Sequence, residues 1–358
     1  MANMAKDNNI NIDDFRGIVL SWYDKHQRTL PWRMSTKAKS KGQTPNPYHV
    51  WLSEIMLQQT TVPTVGKYFE KFTTIWPTIE DLANADRGHV MQEWAGLGYY
   101  ARARNLHKCA KVVCEEYDGV FPETQKALES LPGIGAYTSA AIRAIAFDKP
   151  ANVVDGNIER IMARIFAIET PMPDSKKLLK EKAGLLSDER EDRSGDYAQA
   201  LMDIGSGVCA PKNPKCSLCP IKSFCLAKEK GIETVLPKKK PKKVKPQKHG
   251  QAYWLTNKKG EVAFERRPET KMLGGMLGLP TSDWVLTDEK IKALKGCKNR
   301  KLYISHSFTH FDLRLDIYTT THENGKNLPQ KDLIWVPLSE LDNIGLPTLF
   351  KKIVKLMK

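Results

Sequence analysis

The sequence predicts a mainly α-helical protein that carries a smaller α+β domain at its C-terminal end. Three observations support this fold class. Apolar residues recur at helical spacing up to about Ala227, a Lys- and Pro-rich stretch follows, and beyond it the apolar period changes to two. The chain has 358 residues, a length that suits two domains or three.

Periodicity and capping signals predict the helices of the first part. Apolar residues from Phe15 to Trp22 lie at helical spacing, so a helix is expected there. Pro47 can open the next helix with Asn46 as its cap, and we expect that helix to run as far as Gln59. Further helices, joined by short connections, are predicted over 102–117, 124–131, 136–147, from 156 onward, 175–187 and 197–207.

A basic stretch over 238–248 separates the helical part from the rest of the chain. It holds seven lysines, two prolines and no acidic residue, and like charge with proline prevents a packed core. It can serve as a solvated spacer, as an additional phosphate contact, or as both. We therefore expect a disordered N-terminus at 1–11, a helical domain at 12–228, a linker at 229–249 and a C-terminal domain at 250–358.

Period-two patterns predict the strands of the C-terminal domain. Two strands over 251–256 and 261–265 are expected to form a hairpin around the turn at 257–260. From Thr309 to Ile317 apolar and polar residues alternate cleanly, which predicts a half-buried strand. A strand over 333–336 and a helix over 348–357 complete an α+β domain of about 110 residues, within the usual range for one domain.

Composition limits the class of partner and the compartment. The net charge is +15, which favours a polyanionic partner, although charge alone also suits an anionic membrane surface or plain solubility. No apolar run approaches the roughly eighteen residues of a membrane helix. The polar N-terminal residues lack the apolar segment of a secretory signal. We therefore expect a cytoplasmic, nucleoid-associated monomer with no membrane partner.

A short glycine-containing turn, Leu-Pro-Gly-Ile-Gly over 131–135, lies between two predicted helices. Gly133 and Gly135 allow a hairpin tight enough to expose backbone N–H groups beside the next helix N-terminus, and such a site binds a DNA phosphate without reading sequence. Taken alone, the motif also suits an ordinary helix–helix turn. Further on, Asp155 stands directly before a helical pattern, where N-capping is the simplest role.

Together, the hairpin and the aspartate resemble the helix-hairpin-helix DNA glycosylase superfamily, to which endonuclease III belongs. The resemblance implies a two-lobed helical core. It also implies that Asp155 is catalytic and that Gly133 and Gly135 contact DNA.

Four of the seven cysteines lie within seventeen residues of one another, in the pattern Cys-x6-Cys-x2-Cys-x5-Cys. They are Cys209, Cys216, Cys219 and Cys225. An odd total without a secretion signal argues against a disulfide framework. Four thiolates can hold a [4Fe–4S] cluster or zinc, and spacing alone leaves both open. The spacing, directly after the last helix, is similar to the cluster loop of the endonuclease III and MutY families, and this resemblance implies a [4Fe–4S] cluster (loop 209–225) with a structural and DNA-binding role.

Glu54 interrupts an otherwise apolar helical segment. A carboxyl group placed near Trp51, Ile55 and Leu57 would be partly desolvated, which raises its pKa and keeps it protonated, as a general acid requires. Taken alone, the residue also suits a salt-bridged or solvent-facing glutamate.

Three sequence segments together carry a more specific resemblance. The stretches over 30–33, 51–60 and 96–102 closely resemble the MutY adenine glycosylase family. The similarity covers about residues 12–228 and extends more weakly to the C-terminus. It implies cleavage of the N-glycosidic bond of adenine after base flipping.

The resemblance also implies roles for individual residues. Glu54 protonates adenine at N7 and later activates water, while Asp155 stays ionised and stabilises the oxocarbenium ion. Tyr137 and Asn157 orient this pair. Contacts to the adenine or to DNA are implied for Trp32, Arg33, Gln58, Gln59 and Tyr99.

One departure from endonuclease III bears on the reaction. Those proteins lack the glutamate and carry a lysine in the first turn after the hairpin, as the nucleophile for strand cleavage. Here that position falls on Tyr137, and no lysine lies between Leu131 and Asp148. The sequence therefore predicts a monofunctional glycosylase.

The C-terminal domain resembles the Nudix-like domain of the MutY family. Around Leu273 to Leu279 the sequence has glycines and no acidic residue, so the metal-binding Nudix box is absent and nucleotide hydrolysis is not expected. The resemblance implies recognition of 8-oxoguanine opposite adenine by His306 and by Phe308, Thr309 and His310. The family usually has serine where this chain has Thr309, which keeps the hydroxyl group. A plain strand also suits this stretch.

The expected partner is duplex DNA containing adenine opposite 8-oxoguanine or guanine, followed by abasic-site repair enzymes. Three other interpretations are a bifunctional pyrimidine glycosylase/lyase, a catalytically silent lesion-binding protein and a zinc-binding regulator. Glu54, Tyr137 and the extra domain count against the first. The presence of both Glu54 and Asp155 counts against the second. Iron with acid-labile sulfide in the purified protein would exclude the third.

Overall fold

The computed structural model describes residues 10–187, 192–241, 244–292, 294–321 and 332–358. Of the predicted disordered segment, residues 1–9 lie outside the described residues, as do 242–243 of the linker. Asn11 is described, and its side chain accepts a hydrogen bond from Asp14 N as the N-cap of the first helix.

The chain folds into two compact units that each draw on separate stretches of sequence. The first unit runs to Ala83 and resumes over Lys108–Pro241, and the second unit combines Asn84–His107 with Lys242–Lys358. Part of the helical sequence therefore groups with the C-terminal strands.

The helices of the first unit are short and closely connected. They are α1 (Ile12–His26), α2 (Thr36–Lys39), α3 (Pro47–Leu57), α4 (Val62–Ile75) and α5 (Ile79–Asn84), then, after the stretch in the second unit, α8 (Gln125–Ser130), α9 (Ala136–Phe147), α10 (Gly156–Ile165), α11 (Lys176–Ser187), α12 (Ser194–Asp203) and α13 (Leu226–Glu229). A π-helical turn over Ile204–Val208 follows α12. The second unit adds α6 (Arg87–Glu93) and the N-terminal part of α7 (Ala101–Tyr117), which passes into the first unit after His107.

Most of the predicted helices are confirmed, and two expectations are corrected. The helix that Asn46 caps, with its side chain accepting from Tyr48 N, ends at Leu57 and does not reach Gln59, because Gln59 has a φ of 58°. In α1, Ile18 is 37% exposed while Arg16 is buried, so the buried face is turned from the one that apolar spacing predicts.

The core of the first unit forms where α3 and α12 pack on α9. α3 is buried on nearly all sides, and Trp51, Leu52 and Met56 are fully inaccessible. A helix buried in this way is held by its packing, so side chains on it have little freedom to move. This makes α3 a rigid support for Glu54.

The contact between α9 and α12 depends on the absence of a side chain at Gly195. A Cβ there would lie 2.6 Å from Ala144 O and 2.9 Å from Ile145 Cα. We expect Gly195→Ala to lower the free energy of unfolding by about 2 kcal/mol, because the two helices would have to separate. Urea denaturation measures this. Gly17→Ala, in α1 where a Cβ meets nothing within 4 Å, is the control and should be neutral or stabilising by about 0.5–1 kcal/mol. Equal effects of the two variants would contradict the prediction.

The second unit contains a seven-stranded mixed sheet and the C-terminal helix α14 (Thr348–Met357). The strands are β1 (Gln247–Thr256), β2 (Val262–Arg266), β3 (Leu277–Gly278), β4 (Val285–Leu286), β5 (Lys298–Ser307), β6 (Asp312–Thr321) and β7 (Ile334–Val336). The strand order is β3-β2-β1-β6-β5, with β4 paired to β1 and β7 to β2. The predicted hairpin is confirmed, with Thr256 opposite Val262.

Alternation along β6 is also confirmed, because Leu313, Leu315 and Ile317 are all buried. They join Phe264 and Phe350 in the core of this unit. The strand begins later than predicted, at Asp312, so Thr309 and its neighbours form the turn between β5 and β6. Throughout the described residues, no helix is both long and apolar enough to cross a membrane.

Candidate active site

A cavity of about 440 Å³ in the first unit is lined by all four predicted catalytic residues. The predicted residues on its wall are Trp32, Arg33, Glu54, Gln58, Gln59, Tyr137, Asp155 and Asn157. They come from the loop before α2, from α3 and its end, and from the N-terminal turns of α9 and α10. Residues far apart in sequence thus share one pocket.

Glu54 lies on α3 with only 6% of its surface exposed. Burial raises the pKa of Glu54 to about 7; the hydrogen bond from Tyr137 lowers it, the charge of Asp155 raises it, and Arg33 lowers it. The Tyr137 hydroxyl donates to Glu54 Oε2 at 2.7 Å. The carboxyl group is therefore fixed in place and can hold a proton near neutral pH.

Asp155 is the N-cap of α10, as the sequence indicates. Its Oδ1 accepts from the backbone N–H groups of Asn157 at 2.9 Å and Ile158 at 2.8 Å. Its Oδ2 accepts from Asn157 Nδ2 at 2.7 Å. Three donors at the N-terminal end of a helix hold this carboxyl group in a fixed orientation. The site thus pairs a carboxyl group that can be neutral with a carboxylate held by hydrogen-bond donors.

Arg33, on the wall of the cavity, belongs to a buried ion pair that was not predicted from the sequence. Arg33 Nη1 lies 2.7 Å from Asp203 Oδ2, and Arg28 binds the same carboxylate through Nε. Trp32 is buried beside them with its ring edge-to-face on Phe69, at a centroid distance of 5.4 Å. No local pattern in the sequence signals this pair, because its two residues lie 170 positions apart.

The predicted DNA-contacting residues of this unit lie at the rim or on the surface. Gln58 Nε2 donates to Thr138 Oγ1 at 3.3 Å, and Gln59 stands in the left-handed region. In the hairpin, Gly133 has a φ of 78°, which is the conformation that favours glycine. Gly135 is exposed and is the N-cap of α9 without a side-chain cap. The first turn of α9 can therefore offer N–H groups to an anion.

The four cysteines of the loop after α12 form no disulfide bond among the described residues. Burial raises the pKa of Cys219 to about 12, and the other three thiols add to this by their charge. Within the described ranges, no three His, Cys, Asp or Glu side chains converge as a metal-binding group. Arg164 Nη1 donates to Cys209 Sγ at 3.2 Å, so one thiol already has a cationic partner. Four cysteines in one loop are the donor set of a group that takes four thiolates.

A second arginine of α10 connects this loop with the cavity. Arg160 Nη2 donates to Asn157 Oδ1 at 3.0 Å and to Gly205 O at 2.6 Å, and its Nε donates to Cys209 O at 2.8 Å. The π-helical turn leaves no room at Gly205, where a Cβ would lie 2.6 Å from Asn157 Cβ. Asn157 is therefore held by packing as well as by hydrogen bonds.

The residues predicted to recognise the opposite base all belong to the second unit. The Tyr99 hydroxyl lies 3.1 Å from Thr309 Oγ1, and both side chains are exposed. Tyr99 has a φ of 47° and its loop is held by Arg102, which donates to Leu97 O at 3.1 Å. The same guanidinium group also donates to Gly98 O at 3.3 Å.

Phe308 packs edge-to-face on His306 at a centroid distance of 4.6 Å. His310 is exposed beside Thr309. The end of β5 and the turn that follows it therefore bring together all four recognition residues predicted in the C-terminal domain. Tyr99 joins them from the α6–α7 connection.

Comparison with known proteins assigns the class. Residues 52–186 match the HhH-GPD superfamily of base excision DNA repair proteins, and 251–356 match the NUDIX domain family. The solved structure of a thermostable thymine-DNA glycosylase is similar to the helical part, with a TM-score of 0.53 and 31% identity over 61% of this chain and 97% of that one. The fold and the two carboxyl groups thus define a helix-hairpin-helix base excision repair protein.

Full-length similarity narrows the class to a family. The adenine DNA glycosylase of Buchnera aphidicola subsp. Schizaphis graminum is 33% identical over 96% of this chain and 99% of its own length. The human adenine DNA glycosylase is 44% identical over 60% of this chain, which matches only 40% of the human protein. The chain spans a similar share of the mouse and rat relatives, 42% and 43%. The chain belongs to the adenine DNA glycosylase family.

Proposed function

We propose that this protein is a monofunctional adenine DNA glycosylase that removes adenine lying opposite 8-oxoguanine or guanine. The observation that carries the proposal is the pairing of two unlike carboxyl groups on one cavity. Glu54 is buried with a raised pKa, and Asp155 is surrounded by donors. Hydrolysis of a glycosidic bond needs such a pair, one group to protonate the leaving group and one to stabilise the sugar cation.

The first step is protonation of the flipped adenine by Glu54. A base must leave the helical stack to enter a cavity of this kind. The proton of Glu54 moves to N7, so the base departs as a neutral molecule with the electrons of the C1′–N9 bond. Tyr137 stays hydrogen-bonded to the Glu54 carboxylate that this step leaves, and so keeps it aimed at the sugar.

The second step is capture of the sugar cation by water. The negative charge of Asp155 stabilises the oxocarbenium ion, and the carboxylate can bond to C1′ transiently. Glu54 then takes a proton from the attacking water, which adds its oxygen to C1′ and returns Glu54 to its acid form. The product is an abasic site, the substrate of abasic-site repair enzymes.

The same proposal places the opposite base against the second unit. Tyr99 and Gln59 enter the duplex where the adenine has left, and Thr309 contacts the 8-oxoguanine. The exposed hydroxyl groups of Tyr99 and Thr309 support this role because they can hydrogen-bond to the edge of a base. Gly133 and Gly135 hold a phosphate of the DNA backbone.

The four cysteines, Cys209, Cys216, Cys219 and Cys225, are proposed to hold a [4Fe–4S] cluster. Such a cluster would fix the loop after α12 and support its contact with DNA. Lys212, Lys215 and Lys222 give this loop positive charge, which suits a phosphate neighbour.

Single-turnover reactions on defined duplexes test the proposed activity. The substrates are adenine opposite 8-oxoguanine, adenine opposite guanine, and thymine glycol opposite adenine, each analysed with and without alkali. We expect adenine release from the first two, with strand scission only after alkali, because no lysine occupies the turn after the hairpin. Scission at thymine glycol without alkali would contradict the proposal and indicate a bifunctional pyrimidine enzyme.

A further inference from the structure

The turn that carries Thr309 is closed on itself by its own backbone. Phe308 N donates to Phe311 O at 2.9 Å, and β6 starts immediately afterwards at Asp312. Thr309 and His310, between these ends, are exposed. The backbone bond fixes the ends of the turn, but the orientation of the Phe308–Thr309 peptide depends on what holds its carbonyl group.

Lys245 holds that carbonyl group. Its Nζ donates to Phe308 O at 2.7 Å and to Ser307 Oγ at 3.0 Å. Ser307 in turn donates to Asp312, and this hydrogen bond, with the one from Gln247, lowers the pKa of the Asp312 carboxyl group. A charged donor on a carbonyl forms one of the stronger hydrogen bonds in proteins. Lys245 belongs to the stretch expected to be a linker, yet here it is part of the turn's support.

The orientation of one peptide group follows from this contact. In a trans peptide the carbonyl and the N–H point in opposite directions, and the Phe308–Thr309 bond is not among the cis bonds found in the described residues. Because the Phe308 oxygen points toward Lys245, the Thr309 N–H of the same peptide group points away from Lys245. 8-Oxoguanine carries an oxygen at C8 that guanine lacks, and an N–H or O–H donor is what recognises an oxygen acceptor.

An aromatic stack holds the turn from a second side. The Trp284 ring stacks on Phe308 at a centroid distance of 5.7 Å with an interplanar angle of 28°. The Arg267 guanidinium carbon lies 4.9 Å from the centroid of the Trp284 ring, in a cation–π contact. Arg267 is itself buried and bonded to Met272 O at 2.9 Å. The ring of Phe308 is thus packed against a fixed support.

We infer that Lys245 and Trp284 are positioning residues for base selection, which shape the Thr309 turn for 8-oxoguanine without contacting the base. The inference rests on the proposed function. Lys245 sets the peptide orientation through Phe308 O, and Trp284 fixes the Phe308 side chain. Neither residue touches the cavity that contains Glu54 and Asp155, so adenine opposite guanine should react at the parent rate in variants of either.

The test compares 8-oxoguanine with guanine in two independent readouts. The first is the dissociation constant for the guanine duplex divided by that for the 8-oxoguanine duplex, both carrying a non-cleavable fluorinated deoxyadenosine opposite the test base. The second is the single-turnover rate with adenine opposite 8-oxoguanine divided by the rate with adenine opposite guanine. The variants are Lys245→Met, Trp284→Leu and Trp284→Phe, with Lys239→Met as the matched control, since Lys239 is an exposed lysine of the same basic stretch.

We expect Lys245→Met and Trp284→Leu each to lower both ratios about tenfold, because each variant should bind and cleave the 8-oxoguanine duplex less well while the guanine duplex is unaffected. Trp284→Phe, which keeps a stacking ring, should restore most of the ratio, and Lys239→Met should leave it unchanged. A variant that fails to fold would also lose binding to the guanine duplex. In that case, Trp284→Phe shows whether stacking on Phe308 is what the preference for 8-oxoguanine requires.

Two results would overturn the inference. If Lys245→Met weakens both duplexes equally and reduces the salt dependence of binding by about one ion, Lys245 is a phosphate contact. If the unmodified protein prefers neither duplex in binding, the turn does not select. Failure of the proposed activity is separate, because it would abolish adenine release while leaving the binding ratio measurable.

Discussion

Replacing Glu54 by glutamine is expected to slow adenine release by about 10³-fold, within the range of two to four orders of magnitude that a positioned general acid contributes. Glutamine has nearly the same shape and can still accept from Tyr137, whose hydroxyl lies 2.7 Å from Glu54 Oε2. It has no acidic proton for adenine. Single-turnover cleavage measures the loss, and the affinity for the uncleaved duplex should stay within about twofold.

The pH dependence of the unmodified protein provides an independent control. Burial raises the pKa of Glu54 from 4.5 to about 7, and the acid form carries the proton that the reaction needs. The rate should therefore be level below pH 7 and fall as pH rises through 7. The Glu54→Gln variant should lack this slope in whatever activity remains.

Stability separates loss of chemistry from loss of fold. Because the folded protein holds the Glu54 proton more tightly than the unfolded chain, the free energy of unfolding includes a contribution that is complete below pH 4.5 and is lost as pH rises to about 7. Above that range the carboxylate is buried and charged, so the glutamine variant should be at least as stable as its parent. Retained turnover by Glu54→Gln would show that another group supplies the proton.

Asp155→Asn is expected to slow adenine release by about three orders of magnitude with little loss of stability. The asparagine oxygen can still cap α10, since asparagine and aspartate are similar N-caps. The negative charge that stabilises the sugar cation is removed. The new amide nitrogen would also face Asn157 Nδ2, which now donates to Asp155 Oδ2 at 2.7 Å, and two donors cannot pair.

Asp155→Ala is the matched variant for the structural role of this residue. It removes both the charge and the cap, so the free energy of unfolding should fall by about 1 kcal/mol in addition to the loss of activity. Thermal unfolding distinguishes the two variants. If Asp155→Asn reacts at the parent rate while Asp155→Ala is inactive, Asp155 acts only as a cap and the second step of the proposed mechanism is wrong.

Part of the catalytic cavity could be predicted because its residues lie on elements with strong local signals. Asn46 and Pro47 mark the start of α3, so Glu54 could be placed on a helix from local signals, whereas its catalytic role came from the resemblance to a family. Asp155 stands directly before a helical pattern, and its capping bonds to Asn157 and Ile158 follow from that position. Local rules of capping and periodicity act over a few residues, and these features need nothing more.

The residues that were missed depend on tertiary contacts that leave no local trace. Asp203 meets Arg33 across 170 positions of sequence, and nothing around either residue signals the other. Lys245 looks like any lysine of a basic stretch, yet it bonds to Phe308, 63 positions away. The end of α3 was misplaced for a related reason, because the left-handed conformation at Gln59 is one that local propensity does not favour.

Because the second unit includes an upstream stretch of the chain, truncation of the C-terminal part cannot remove this unit cleanly. The stretch Asn84–His107 belongs to that unit, and its Arg104 donates to Gly274 O at 2.6 Å. A chain cut after Pro241 would keep Tyr99 but strip it of Thr309, and would leave Arg104 without its acceptor. Shortening such a protein therefore damages a surface encoded far upstream of the cut. The second unit is discontinuous in sequence, and its two stretches form one compact unit only in the folded protein.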